Sequence, residues 1–359
     1  LVIEPIHRTA RVSILFMDFT EIASQGIRQA LELASGSNRL LGFNQFVEIA
    51  LYHTEFGYYR SQRERVGRSS ETDFFTASSL KESLRPIVLE ASIGILKKSG
   101  LDPTKTDWVE IGAEPGSTLF AEVANPFASS RAIRLGEPIT LEGDLVVFSN
   151  ELFDAQPFNS VICRGRTWLE RMIEVSDSGL RIVEKPPISP EVTSLLDSLP
   201  SPAPEGFIVD LPTGSRLLID QIIQQPWKGI FIALDYGKTW QAITHDSPQG
   251  TARAYQHHRQ SPNLLENIGQ QDLTCHICWD WMEEALCQNR FQSIDLESQE
   301  SFVLKKAPDF VRSVFESDSG ISDPLRGTLR QLIHPSLMGQ KFQALSAIRT
   351  EPVSGSQSA

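Results

Sequence analysis

Three short apolar runs, Trp108–Ile111, Leu145–Phe148 and Ile230–Leu234, restrict most how this chain can fold. Each is too short for a stable helix and is bounded by turn or acidic residues. Uninterrupted runs of this length suit strands buried on both faces, as in a parallel sheet covered by helices. Sheets of that kind form their sites at the carboxyl ends of the strands. Here those ends read Gly112-Ala113-Glu114-Pro115-Gly116, Asn150-Glu151-Leu152-Phe153-Asp154 and Asp235-Tyr236-Gly237. One acidic strand end is commonplace, whereas three polar constellations at one edge predict a cleft.

Around these runs the pattern is helical at first. Ile22, Ile27, Ala30, Leu31 and Leu33 give Thr20–Leu33 an amphipathic face, residues 34–39 read as a polar break, and Phe43–Leu51 reads as a second helix. An aromatic turn, Phe56–Tyr59, and a charged run, Arg60–Glu71, follow; the run reads as a solvated loop. Ile87–Lys98 is again helical, with Ser99-Gly100 as its stop. Turn residues at Gly165 and Ser178-Gly179 within the β-prone Ser160–Val183 predict a hairpin insertion. The Pro-rich stretches Lys185–Pro190 and Leu199–Pro204 read as connectors around a short helix, Glu191–Leu196. The expected organisation is an N-terminal extension (1–40), a helical lid (41–107) and a core (108–350) with an insertion at about 158–205. A Ser-rich tail (351–359) is expected to be disordered. Leu1 is an unusual first residue, and Met17 opens a better-behaved segment.

Composition narrows the function classes. The 359 residues give a prior of roughly two domains. With 45 acidic and 33 basic residues the net charge is −12, a sign that repels phosphate backbones and anionic bilayers. A nucleic-acid or membrane-surface partner is therefore not expected. Four cysteines are too few for a disulfide scaffold in a chain this long, which points to a reducing, cytoplasmic setting.

Several motifs are incomplete. Glu110-x-Gly112-x-x-x-Gly116 ends a strand and reads as opening a helix, a place where backbone and ligand can approach closely. A dinucleotide fingerprint would need glycine where Glu114 stands. Gly237-Lys238-Thr239 lacks the upstream glycine of a phosphate loop, since position 232 is Ile. If Asp272–Trp279 is a strand, Cys275 and Cys278 fall on opposite faces and cannot share a metal, so no metal is expected. Neither a G-x-S-x-G elbow nor an H-E-x-x-H helix occurs. Asn150-Glu151-x-x-Asp154 is the sharpest local feature. Its carboxylates and amide can hold a guanidinium by paired hydrogen bonds, or can form a helix N-cap with first-turn acids. Both readings stay open at this point.

Taken in order, these pieces resemble the MidA family, the complex I assembly-factor 7 methyltransferases. The resemblance rests on Ala50-Leu51-Tyr52, Gly57-Tyr58-Tyr59, Gly67, Asp73-Phe74-Phe75-Thr76-Ala77 and Glu110-Ile111-Gly112. It continues through Ser149–Ala155 with Pro157, Leu234–Gly237, Gly250-Thr251, Arg253–Tyr255 with His258, Gly269, Asp272–Thr274 with His276, and His334-Pro335 with Met338-Gly339. It implies a Rossmann-like, mostly parallel α/β methyltransferase sheet with a helical N-terminal lid and a β-rich insertion. It implies S-adenosylmethionine as cofactor, held by Glu110, Gly112, Gly116 and Glu137. It implies methyl transfer to a protein side chain, arginine first, in a protein substrate such as a complex I subunit. Glu151, Asp154 and Asn150 would be catalytic. Asp73, Phe74, Thr76, Tyr58, Asp235, Tyr236 and His258 would form the substrate wall and lid. Glu114, Thr72, Ser78 and Gln156 depart from the family pattern, which leaves an inactive relative serving as a binding or assembly factor as the alternative. A nicotinamide dehydrogenase fits less well.

Overall fold

A computed structural model describes residues 19–60, 81–113, 118–120, 123–256, 259–316 and 323–352. Its centre is a six-stranded sheet of β2 (Asp107–Ile111), β3 (Ser130–Ile133), β4 (Gly143–Asn150), β9 (Trp227–Asp235), β15 (Gln292–Ser298) and β16 (Gln343–Arg349), in the order β15-β16-β9-β4-β2-β3. The four strands β3, β2, β4 and β9 run parallel, with Val109 opposite Val147 and Val147 opposite Phe231. β16 and β15 are antiparallel to their neighbours. The three apolar runs thus form three adjacent central strands.

Alternate residues of these strands face two separate cores, which is why the runs show no polar alternation. Trp108, Val146, Phe148, Ile230 and Ile232 pack beneath α3 (Lys81–Lys98), α8 (Gln299–Lys306), α9 (Pro308–Glu316) and α10 (Pro324–Ile333). Val109, Val147, Phe231 and Ala233 pack beneath α5 (Thr213–Ile223) and α7 (Trp279–Gln288) on the other face. Helix α3 begins six residues before the expected Ile87 and passes through Pro86, because Leu84 extends the buried face of Ile87, Val88 and Ala91. It stops where expected: Gly100 takes φ +72°, and Leu101 N donates to the Leu96 carbonyl at 2.9 Å.

The hairpin lies where the sequence places it, in β5 (Asn159–Arg164), β6 (Thr167–Ser176) and β7 (Gly179–Lys185). It continues into β8 (Ile208–Leu211) and gains β1 (Leu40–Gly42) against β6, which makes a five-stranded antiparallel sheet. The short helix α4 (Pro190–Leu195) sits between its connectors. Helices α1 (Phe19–Ser35) and α2 (Phe43–Tyr52) cover this sheet through a core that joins Phe43, Phe46 and Leu51 to Phe158 and Ile173. Short elements complete the chain around the site: β10 (Gly237–Lys238) pairs with β14 (Ile277–Cys278), and β11 (Arg253–Gln256) lies between β12 (Arg259–Ser261) and β13 (Asp272–Thr274). Thr239, which the phosphate-loop comparison singles out, instead caps α6 (Trp240–His245) by accepting from Ala242 N.

Two local expectations are corrected. Among the described residues between β2 and β3 there is no helix. Asn125 Oδ1 accepts from Phe127 N across Pro126, a turn that leads the chain into β3. No helix follows β4 either: the chain turns there, and the Asp235 carboxylate at the end of β9 accepts the N–H groups of Leu152 and Phe153. Cys275 and Cys278 fall in different cores, Cys275 with the N-terminal helices and Cys278 with the hairpin. No described helix is long and apolar enough to cross a membrane.

Candidate active site

A cavity of about 1180 Å³ opens at the carboxyl edge of the parallel strands. Its first end lies over β2 and β3. Gly112 forms the floor with φ +82°, a conformation that favours glycine, and a Cβ there would crowd Leu152 Cδ1 at 2.7 Å. Its N–H donates to the Ile133 carbonyl at 2.9 Å, which fixes the exit from β2 against β3. Glu110 also lines this end, and its Oε2 accepts the Leu119 N–H at 2.8 Å. Burial pushes the Glu110 carboxyl up to about 7. Glu137 sits in the turn after β3 at the cavity edge, where its Oε2 accepts the Arg134 N–H at 2.8 Å.

Between the two ends stands the turn that leaves β4. Glu151 has φ +49°, a left-handed conformation that costs a residue with a Cβ about 1 kcal/mol or more. The turn is held in that shape from both sides. Glu151 N donates to the Leu234 carbonyl at 2.9 Å, and Asn150 Nδ2 donates to Glu151 Oε1 at 3.1 Å.

The second end is acidic and aromatic. Asp154 is 3 % exposed, and burial pushes its carboxyl up to about 6, while the neighbouring Tyr236 hydroxyl and Asp235 hold it below what burial alone would give. Its Oδ1 has no hydrogen-bond partner among the described residues. Tyr52 and Tyr59 stack at 5.5 Å and line the same wall. Tyr52 donates to the Ala155 carbonyl at 2.9 Å and Tyr59 to Asp272 Oδ1 at 3.0 Å. His276 packs edge-on to Tyr236 at 5.3 Å.

The cavity therefore brings together Glu110, Gly112 and Glu137 at one end, Asn150 and Glu151 between, and Asp154 and Tyr236 at the other. Two expected wall residues are placed differently. Asp235 is fully buried and is no part of the cavity wall, because its oxygens accept three main-chain N–H groups: Leu152 at 3.2 Å, Phe153 at 2.9 Å and Tyr236 at 2.9 Å. Tyr58 is a core residue with no exposed surface, and Tyr59 beside it reaches the cavity instead. Gly116, Asp73, Phe74, Thr76 and His258 lie outside the described residues, as do Glu114, Pro115 and the charged run beyond Arg60. Tyr52, Asp272 and His276 were within the motifs noted above, yet nothing in their spacing marked them as facing one cavity.

Comparison with known proteins agrees with this geometry. Residues 132–295 match the family model "Putative S-adenosyl-L-methionine-dependent methyltransferase". No curated protein matches the sequence significantly. A COG1565 superfamily member from Burkholderia thailandensis, crystallised with S-adenosyl-homocysteine, superposes with a TM-score of 0.80 at 22 % identity, over 91 % of this chain and 93 % of that one. A native crystal structure of a COG1565 superfamily protein from the same organism gives a TM-score of 0.75 at 20 % identity, over 91 % and 92 % of the two chains. The chain thus has the Rossmann-like α/β fold of S-adenosylmethionine-dependent methyltransferases, with helices at its N-terminus.

Proposed function

We propose that the chain is an S-adenosylmethionine-dependent methyltransferase of the MidA kind. In this reading it acts in the cytoplasm on an arginine side chain of a protein, such as a subunit of respiratory complex I. The observation that carries the reading is the turn after β4. A strained Glu151 and a buried Asp154 share one cavity with the Gly112 floor. Backbone strain of this kind persists where the surroundings over-determine it, and it clusters at functional sites.

The residues at the first end fit the cofactor. Gly112 leaves the floor free of a side chain, and Glu137, at the end of the neighbouring strand, is exposed for a ribose hydroxyl pair. Bound there, the cofactor supplies a methyl group on a positively charged sulfur. The protein's share is alignment, which provides much of the rate in a displacement of this type. Glu151 and Asp154 hold the guanidinium and draw its charge away from the attacking nitrogen. Asn150 orients Glu151, and the Tyr52–Tyr59 stack walls the site against water. The four cysteines are free thiols, which supports a reducing compartment.

Calorimetry with S-adenosylmethionine and S-adenosyl-homocysteine tests the reading, with binding expected in the micromolar range. Labelled methyl transfer to arginine-containing peptides is expected to vanish in Glu151→Gln while affinity for the cofactor stays nearly unchanged. No binding at millimolar ligand would overturn the enzyme reading in favour of an assembly factor. Retained turnover in Glu151→Gln would overturn the role given to that residue.

A further inference from the structure

The second end of the cavity holds two buried hydrogen-bonding atoms without a partner among the described residues, Asp154 Oδ1 and His276 Nδ1. Both residues line the cavity. They are fixed to one another through the main chain and through a ring. Cys275 N donates to the Asp154 carbonyl at 2.8 Å, and Tyr236 packs on the His276 imidazole at 5.3 Å. Native folds satisfy nearly all such atoms, and because these two belong to residues that border the cavity, a ligand in it can complete both.

The chemistry of that ligand follows from what the two atoms can do. Asp154 Oδ1 accepts hydrogen bonds. The imidazole is neutral at physiological pH, since burial, Lys238 and Arg253 push it down to about 4. The favoured neutral tautomer carries its proton on Nε2, which leaves Nδ1 as an acceptor. Lys238 donates to Ser247 Oγ, and Arg253 donates to the Gly250 and Ala252 carbonyls, so neither cation donates to the ring.

We infer that His276 is a specificity-determining residue: its Nδ1 and Asp154 Oδ1 accept hydrogen bonds from two different nitrogens of the methyl-accepting group. This rests on the methyltransferase reading above and sharpens it. A planar group with N–H donors on two sides, a guanidinium or an amidinium, satisfies both atoms. A carboxylate or phosphate would set lone pairs against lone pairs and leave both unsatisfied.

The test uses the full chain with ¹⁵N-labelled histidine and bound S-adenosyl-homocysteine, titrated with N-acetyl-arginine amide and separately with N-acetyl-glutamate. The His276 Nδ1 resonance is expected at the position of an unprotonated nitrogen, and to move with the arginine probe only. His276→Asn, which keeps an acceptor near the Nδ1 position, is expected to retain most of the affinity for the arginine probe. His276→Leu is expected to lose about tenfold, the scale of one hydrogen bond. A protonated Nδ1, an equal response to both probes, no response to the arginine probe, or a Leu variant that binds as tightly as the original each overturns the inference. Calorimetry on the same samples separates the two failures. Without S-adenosyl-homocysteine binding the methyltransferase reading itself falls; with it, only the role of His276 does.

Discussion

Glu110 and Asp235 occupy corresponding places, near the carboxyl ends of β2 and β9, and both are buried. Their partners differ. Glu110 holds one main-chain N–H, that of Leu119, and still borders the cavity. Asp235 holds three, from Leu152, Phe153 and Tyr236, and has no surface left for a ligand. The acidic turn after β4 is therefore braced by a side chain of the neighbouring strand β9, whereas the glycine floor is held by a main-chain bond from Gly112 to β3. Asp235 serves the main chain, whereas Glu151 and Asp154 in the turn it braces face the cavity.

Asp235→Ala presses hardest on this contrast. It leaves the buried N–H of Phe153 and the half-buried N–H groups of Leu152 and Tyr236 without an acceptor, and the expected loss is about 3–5 kcal/mol of unfolding free energy. Urea denaturation measures it. A loss below about 1 kcal/mol would show that the brace is redundant.

The same contrast explains which features could be read from the chain alone. Ile230–Leu234 and its two companions announce buried parallel strands because their apolarity is local, and local patterns survive in sequence. The Ser160–Val183 hairpin is legible for the same reason. What assigns Asp235 to the backbone and Asp154 to the cavity is a contact across 82 positions, from Asp235 to Phe153. Tyr58 and Tyr59 are adjacent and chemically identical, yet one is core and the other cavity wall. Only the short 3₁₀ turn that carries them decides which is which. The recruitment of Leu40–Gly42 into the hairpin sheet is equally silent, since three apolar residues before a helix carry no strand signature.

Glu110 gives a pH test of its half of the comparison. Its folded-state value of about 7 lies above the ordinary 4.5, so the folded protein binds the proton more tightly than the unfolded chain does. Its contribution is then fully present below about pH 4.5 and is lost as the pH rises through 7. Glu110→Gln can still accept from Leu119 N and never ionises. Its stability is expected to fall less than that of the original protein across this range, with an advantage on the order of 1–3 kcal/mol at pH 8. Parallel stability–pH curves for the two proteins would show that Glu110 keeps an ordinary carboxyl and that the burial argument for this end of the site is wrong.

The smallest effect on stability is also the most informative about purpose. Glu151 holds a left-handed conformation that glycine adopts freely, so Glu151→Gly relieves strain while adding chain entropy to the unfolded state. The two terms leave an expected gain of about 0.5 kcal/mol, read from the shift in denaturation midpoint. Methyl transfer is expected to disappear in the same variant, because the carboxylate that Asn150 orients is gone. A protein that becomes steadier as it loses its activity retains the strain for function. If Glu151→Gly were instead destabilised by about 1 kcal/mol or more, the carboxylate would be a structural tie like that of Asp235, and the acidic turn would have no member reserved for substrate except Asp154.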